Sequence, residues 1–237
     1  HTSYLLHNVN KQIQVISGIQ EAIYSWMALK YILKDSQEKT FSLIELGGGS
    51  LQYITDIIPL DNSIKQYDID LDLKHIHQCN NINNHQEETP TTTTNMYIET
   101  FLHYGANSAW NNYHDIIADI ALSLQQDYYY DPCLLKDQIT ILQHKKIKLI
   151  GTGDYIQCKA NLLNYLSDND DDIFHQAKLL SKYISSNHQD ILIYGLAEPY
   201  YTTQDIFHMN GHFDLTTFES LATHYCSLNF TLLNYNE

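Results

Sequence analysis

Glu45, Gly47, Gly48, Gly49, Ser50 and Gln52 fall within eight positions, and their types suit phosphoryl transfer. They lie in Phe41-Ser-Leu-Ile-Glu-Leu-Gly-Gly-Gly-Ser-Leu-Gln-Tyr-Ile54, an apolar run of strand length that meets three consecutive glycines. A strand ending in glycines lets backbone N–H groups approach an anion with no Cβ in the way. Glu45, near the strand's end, could face a metal ion. Ser50 and Gln52 alternate, so on extended backbone they point the same way and could hold a water. The same glycines also fit a tight turn between two strands. A second carboxylate, Glu21, lies upstream in the first turn of an expected helix. The helix dipole favours an ionised carboxylate there, as a general base requires. An ordinary N-terminal helix charge is the other reading of Glu21.

The elements that must position these residues can be read from apolar spacing. Val9–Ile16 suggests a strand and Gly18 a turn. Ile19, Ile23, Trp26, Met27 and Tyr31 then fall at helical spacing, for a helix over 21–33. Phe41–Leu46 and Leu51–Ile58 form a strand–glycine–strand hairpin, and Ile64–Ile69 suggests another strand. Residues 74–95 turn to His, Asn, Gln and Thr, a loop or disordered insert in which His75, His77 and His85 read as solvated rather than as metal ligands. Downstream come a strand over 97–104, a helix over 109–124 ended by Tyr128–Tyr130 and Pro132, and two strands over 138–142 and 147–151. A helix over 157–166 leads to the acidic run Asp168–Asp172, whose spacing suits an exposed loop better than a calcium site. Helices over 172–184 and 215–225 flank a strand over 189–196 that reads as buried, with Pro199–Thr202 closing it. Strands alternating with helices argue a mixed α/β fold.

Composition narrows the partners. A net charge of −15 argues against nucleic acid and anionic membrane surfaces. It leaves a metal-screened nucleotide open. All 13 basic residues are lysines, so no guanidinium fork can clamp a phosphate. Cys79, Cys133, Cys158 and Cys226 make no zinc pattern, and either disulfides or buried thiols remain open. No apolar run is long enough to span a bilayer, and His1 is no initiator, so the chain reads as a fragment of something longer.

Ile16-Ser-Gly-Ile-Gln-Glu-Ala-Ile-Tyr-Ser-Trp26 and Glu45-Leu-Gly-Gly-Gly-Ser-Leu-Gln52 together resemble the nucleoside triphosphate diphosphohydrolases, the apyrase family. That family carries I-x-G-x-E-E-G-x-Y-G-W and, further on, D-L-G-G-x-S-T-Q-I. Tyr97–Asn107, Asp131-Pro-Cys-Leu134, Gly151-Thr-Gly-Asp-Tyr-Ile-Gln-Cys158 and Pro199-Tyr-Tyr-Thr202 resemble further family segments in the same order. The resemblance implies a ribonuclease H-like lobe of the actin-like ATPase superfamily, a mixed sheet flanked by helices. The chain would be the second, C-terminal lobe of a two-lobed protein, with the N-terminal lobe absent from it.

The resemblance also implies an activity: hydrolysis of ATP and ADP to the monophosphate with Ca²⁺ or Mg²⁺. Glu21 would be the general base, with Ser50 and Gln52 orienting the attacking water. Gly47, Gly48 and Gly49 would line the phosphate, and Glu45 would hold the metal through water where the family has Asp. Tyr201 would stack on the base, and Cys133 would pair with Cys158. The missing lobe would be supplied in cis or by a separate chain. The compartment would be secretory or extracellular, with any membrane anchor outside this chain. Ala22, Leu51 and Lys30 depart from the family's Gly, Thr and Asn. Two other readings stand beside this one. The first is a non-catalytic structural or assembly subunit that kept the fold. The second is a relative of the exopolyphosphatases and guanosine pentaphosphate phosphohydrolases, which share the Ser-Gly-x-x-Glu-Ala and Gly-Gly-Gly-Ser pattern.

Overall fold

The computed structural model describes residues 15–34, 40–56, 66–70, 93–169 and 192–233. These form two compact units. The first draws on the described residues up to Glu45, on those from Leu51 to Leu102 and on Leu192–Tyr194; the second on Leu46–Ser50, on those from His103 and on Gly195 onward. Among the described residues no helix is long and apolar enough to cross a membrane.

In the first unit the chain enters helix α1, Gly18–Ile32, through a capping box. The Ser17 hydroxyl accepts from the Gln20 N–H, and the Gln20 side chain accepts from the Ser17 N–H at 2.9 Å. Two of the helix's orphan donors are thereby satisfied. The helix thus starts three residues before Glu21, and Gly18 is its first residue, not a turn ahead of it. The buried face is Ala22, Trp26 and Leu29, while Tyr31 is exposed. The apolar stripe expected from Ile19, Ile23 and Tyr31 is therefore rotated toward Trp26, whose large ring sets the centre of the contact. Trp26 stacks on Phe41 with ring centroids 5.5 Å apart, and Phe41 meets Tyr194 edge-on at 5.6 Å. Truncating a buried ring of this kind typically costs about 3–5 kcal/mol.

A five-stranded sheet runs β3-β4-β2-β1-β8. Its strands are β1 (Ser42–Leu46), β2 (Ser50–Thr55), β3 (Gln66–Asp70), β4 (Thr93–Leu102) and β8 (Ile193–Ala197). β1 and β2 are neighbours joined only by Gly47–Gly49, a hairpin too short for a crossover. β3 and β4 pair antiparallel, with Asp68 opposite Asn95. Leu43, Tyr53, Ile54, Met96 and Ile98 are buried along these strands. Three hydroxyls on these strands bond one another: the Tyr53 hydroxyl donates to Ser42 Oγ, and Ser42 Oγ to Thr55 Oγ1, each at 3.0 Å. β8 is not the buried strand expected. Among the described residues it has a strand on one side only, and Ile193 and the preceding Leu192 are 42% and 45% exposed. Val15 and Ile16 are irregular. The rest of the first expected strand, most of the 74–95 insert, Cys79 and the helix over 172–184 lie outside the described residues.

The second unit is built on helix α2, Ala106–Ser123, whose Tyr113, Ile117, Ala118 and Ala121 pack with Leu134, Ile147 and Leu149. Its sheet runs β5-β7-β6: β5 (Tyr128–Asp131) is parallel to β7 (Ile147–Gly151), and β6 (Ile139–Leu142) antiparallel to it. Tyr128–Tyr130 therefore continue into a strand and do not simply end α2. Three successive aromatics fit a pleated, half-buried surface. At the end of β5, Asp131 is fully buried. Its Oδ1 accepts from the Tyr113 hydroxyl at 3.0 Å and from the Cys133 N–H at 2.9 Å, and its Oδ2 lies 3.3 Å from His114 Nε2. Burial, with Asp131 alongside, pushes the Tyr113 phenol far above its usual range. This network fixes the turn that carries Cys133. Cys133 is disulfide-bonded to Cys158 on helix α3, Tyr155–Asn169, with S–S 2.07 Å and Cα–Cα 4.8 Å. α3 takes in Asp168, so the acidic run begins in a helix and not in a loop. After β8 come a helical turn at Glu198–Tyr200, a π-helix at Tyr201–Ile206, helix α4 at Leu215–Cys226 and a short helix at Phe230–Leu233. Asp214 caps α4 by accepting from the Thr217 N–H at 2.7 Å.

Candidate functional site

In the first unit the capping box places Glu21 in the first turn of α1, half-buried. Gln52 is buried at the centre of β2. The Gln52 amide donates from Nε2 to Glu21 Oε2 at 2.8 Å, joining residues 31 positions apart. A charge-assisted bond of this kind tethers the carboxylate to β2. Ser50 precedes Gln52 by two residues on the same strand. Glu45, in β1, has its Oε2 buried without a hydrogen-bond partner among the described residues. A buried carboxylate oxygen is a hard donor, and Mg²⁺ or Ca²⁺ takes one or two such oxygens and completes its shell with water. By its chemistry Glu45 could therefore hold a hydrated divalent cation. Among the described residues no three His, Cys, Asp or Glu side chains gather as a metal cage.

The glycines belong to the second unit, where the segment 103–108 holds their backbone. The N–H groups of Ala106, Ser108 and His103 donate to the carbonyls of Gly47, Gly48 and Gly49 at 2.8, 3.1 and 2.9 Å. In a trans peptide plane the C=O and the next N–H point opposite ways. With three successive carbonyls turned to the 103–108 segment, the N–H groups of Gly48, Gly49 and Ser50 are aimed away from it. Successive amides presented on one side make an anion-binding concavity. A Cβ built on Gly49 would meet no atom within 4 Å, and Gly49 does not adopt a left-handed backbone. The fold itself therefore does not require glycine there.

Tyr201, also in the second unit and 53% exposed, opens the π-helix with its ring edge-on to that of Tyr200 at 5.8 Å. Ahead of it Ala197 adopts φ 61, ψ −118, a strained conformation for a residue with a Cβ. Strained backbone and π-helical turns both concentrate at functional sites. The structure thus brings Glu21 and Gln52 together in one unit, seats Glu45 in β1 of that unit, and places the glycines and Tyr201 in the other. The sequence reading gave no role to His103, Gly105, Ala106 and Ser108, which sit behind the glycine loop. His103, Gly105 and Ala106 fall within the Tyr97–Asn107 resemblance and Ser108 just beyond it, but backbone donors carry no side-chain signature.

A mixed α/β protein with a carboxylate–amide pair and a braced glycine turn suits the phosphate-hydrolysing classes. Residues 1–236 match the GDA1/CD39 (nucleoside phosphatase) family, and the chain belongs to it. It is 29% identical to the Golgi apyrase of Schizosaccharomyces pombe, with 97% of this chain and 39% of that protein covered. Human ectonucleoside triphosphate diphosphohydrolases 7 and 4 are 23% and 25% identical, covering 94% and 93% of this chain and 41% of each of theirs. The chain thus spans about two fifths of these relatives' length. A crystal structure of nucleoside triphosphate hydrolases from Neospora caninum is 16% identical, with a TM-score of 0.41 over 62% of this chain and 37% of that one.

Proposed function

We propose that this chain is the second lobe of a protein that hydrolyses nucleoside tri- and diphosphates to the monophosphate, with the first lobe supplied in cis or by another chain. The observation that carries this reading is the Gln52–Glu21 hydrogen bond at 2.8 Å, which supports a positioned general base in a chain of this family. Gln52 and the Ser50 hydroxyl orient a water, and Glu21 takes its proton as the water oxygen bonds to the terminal phosphorus. The bond from that phosphorus to the bridging oxygen breaks, and the electron pair leaves with the shortened nucleotide. The N–H groups of Gly48, Gly49 and Ser50 hold the oxygens of the transferring group, where preformed donors are worth most. Glu45 would hold Ca²⁺ or Mg²⁺ through water, and the bound ion would supply charge neutralisation. Tyr201 offers its exposed face to the base, a contact that tolerates many bases. The Cys133–Cys158 disulfide supports an oxidising compartment, the secretory lumen or the cell exterior, as do the relatives named for the Golgi and the cell exterior.

The test is phosphate release by the whole protein from ADP and from polyphosphate, with and without Ca²⁺ or Mg²⁺. Metal-dependent turnover of ADP supports the proposal, and preference for polyphosphate would assign the chain to the exopolyphosphatase-like reading. No turnover of either would leave the structural-subunit reading. The 237-residue chain alone should be inactive, and ATPase activity from it would reject the need for a first lobe.

A further inference from the structure

Gly105 has no part in the chemistry proposed above, yet it is buried against the loop that the chemistry uses. It is the residue before α2, with extended backbone at φ −67, ψ 159. A Cβ on Gly105 would fall 2.5 Å from the Gly48 carbonyl carbon and closer still to the amide nitrogens of Gly49 and Ser50. All three are backbone atoms, which cannot swing aside as the end of a side chain can. Gly105 also has no side chain to cap α2. The helix's first amides, Ala106 N–H and Ser108 N–H, are satisfied by the carbonyls of Gly47 and Gly48. Helix and loop therefore satisfy each other's backbone. Gly49 is the opposite case, exposed and with room for a Cβ.

We propose that Gly105 is a positioning residue: its bare Cα, with the amides of His103, Ala106 and Ser108, braces the glycine loop so that the Gly48, Gly49 and Ser50 N–H groups face the transferring phosphoryl group. The inference rests on the phosphate reading of that loop. Two variants of the whole protein test the brace. Gly105→Ala inserts the methyl. Ala106→Pro removes the donor to Gly47 and presses a ring on that carbonyl. Proline is tolerated at the first helical position, and the extended Gly105 suits the residue before a proline, so α2 should persist. Removing one preformed oxyanion donor typically costs about 10²–10³-fold in kcat. Each variant should lose about 10²-fold in kcat/KM and weaken calorimetric binding of orthovanadate, which mimics the transferring group, by a similar factor. Inhibition by the nucleoside monophosphate, which lacks that group, should be unchanged.

Vanadate binding and turnover within a factor of about two of wild type in folded Ala106→Pro would overturn the brace, since that falls far short of a lost donor. Equal weakening of vanadate and monophosphate would mean a general structural defect and would also overturn it. So would loss of the helical circular-dichroism signal in both variants, since the contact would then decide the fold and not the loop's aim. Gly49→Ala tests the phosphate reading separately, because its methyl enters open space. Unchanged vanadate binding in Gly49→Ala rejects that reading and the brace with it. Lost binding there, with intact binding in both brace variants, rejects the brace alone.

Discussion

Glu21→Gln isolates charge from shape. The Gln52 amide donates to Glu21 Oε2 at 2.8 Å, and a glutamine at 21 offers an amide oxygen to the same donor. The hydrogen bond should survive as a neutral one, weaker by about 1 kcal/mol than its charge-assisted parent. For a chain of this size that is a shift of roughly 2–4 °C in Tm, so the variant should stay folded. Catalysis should suffer much more. A positioned general base contributes about 10²–10⁴-fold, or about 3–5 kcal/mol of barrier. The measurement is phosphate release from saturating ADP by the whole protein, with nucleotide affinity by calorimetry and Tm recorded in parallel. Turnover should fall by at least about 10²-fold while nucleotide affinity holds, because the base acts on water and not on nucleotide. A Glu21→Gln protein that turns over within a factor of about two of wild type would remove Glu21 from the mechanism, since a base contributes far more than that.

Replacing both Cys133 and Cys158 by Ala opens a loop with a sequence separation of 25, and loop entropy predicts a loss of about 3.5 kcal/mol, measurable as a lower urea midpoint. Gln52→Glu would set two carboxylates at hydrogen-bond distance, raise their shared affinity for a proton, and move the acid limb of the pH–rate profile to higher pH. On the surface of α2, the hydrogen bond from His144, and Lys145 beside it, hold the Asp115 carboxyl below its usual range. A depressed carboxyl stabilises above its unfolded value of about 3.9 and loses that contribution as pH falls through the folded one. With the Asp115 side chain 47% exposed, Asp115→Asn should cost no more than about 0.5 kcal/mol at pH 7 in urea unfolding, and that cost should fade as pH falls through the depressed value.

What could be read in advance follows from which interactions are local. The β1–glycine–β2 hairpin and β6 and β7 were legible because apolar runs and turn residues lie next to one another in the chain. The disulfide came from the resemblance alone, because spacing among four cysteines does not fix a pairing. The start of α1 was missed because Ser17 and Gln20 act through a reciprocal pair of caps, while the apolar pattern begins later. The exposure of β8 could not be read, because Ile191-Leu-Ile-Tyr194 is apolar whether the strand is central or at an edge. β5 was hidden for a related reason: a run of three tyrosines has no alternation, and its partner β7 lies about twenty residues downstream. Within the site, Glu21, Gln52 and Glu45 announce themselves by type. The brace behind the glycines is made of backbone N–H groups, which every residue but proline carries, so only the fold brings it into view.

The departures from the family motif acquire a meaning once placed in the fold. Ala22 is buried on α1, one residue past Glu21, so its methyl contributes to the face that packs around Trp26. Lys30 lays its ammonium 4.2 Å from the centre of the Trp26 ring, a cation–π contact on the same helix. Leu51 lies between Ser50 and Gln52 on a strand, so the two-residue period points it to the opposite face. Each of these three substitutions is thus accounted for by packing or by facing away from Ser50 and Gln52. A chain that had kept only the fold would have no reason to confine its changes in this way, and Glu21, Ser50 and Gln52 would be as free to drift as Ala22. Glu45 alone departs at a position given to chemistry, and it does so as a longer carboxylate with an oxygen still buried without a protein partner among the described residues. That pattern is the one the proposed function expects of the residues it uses.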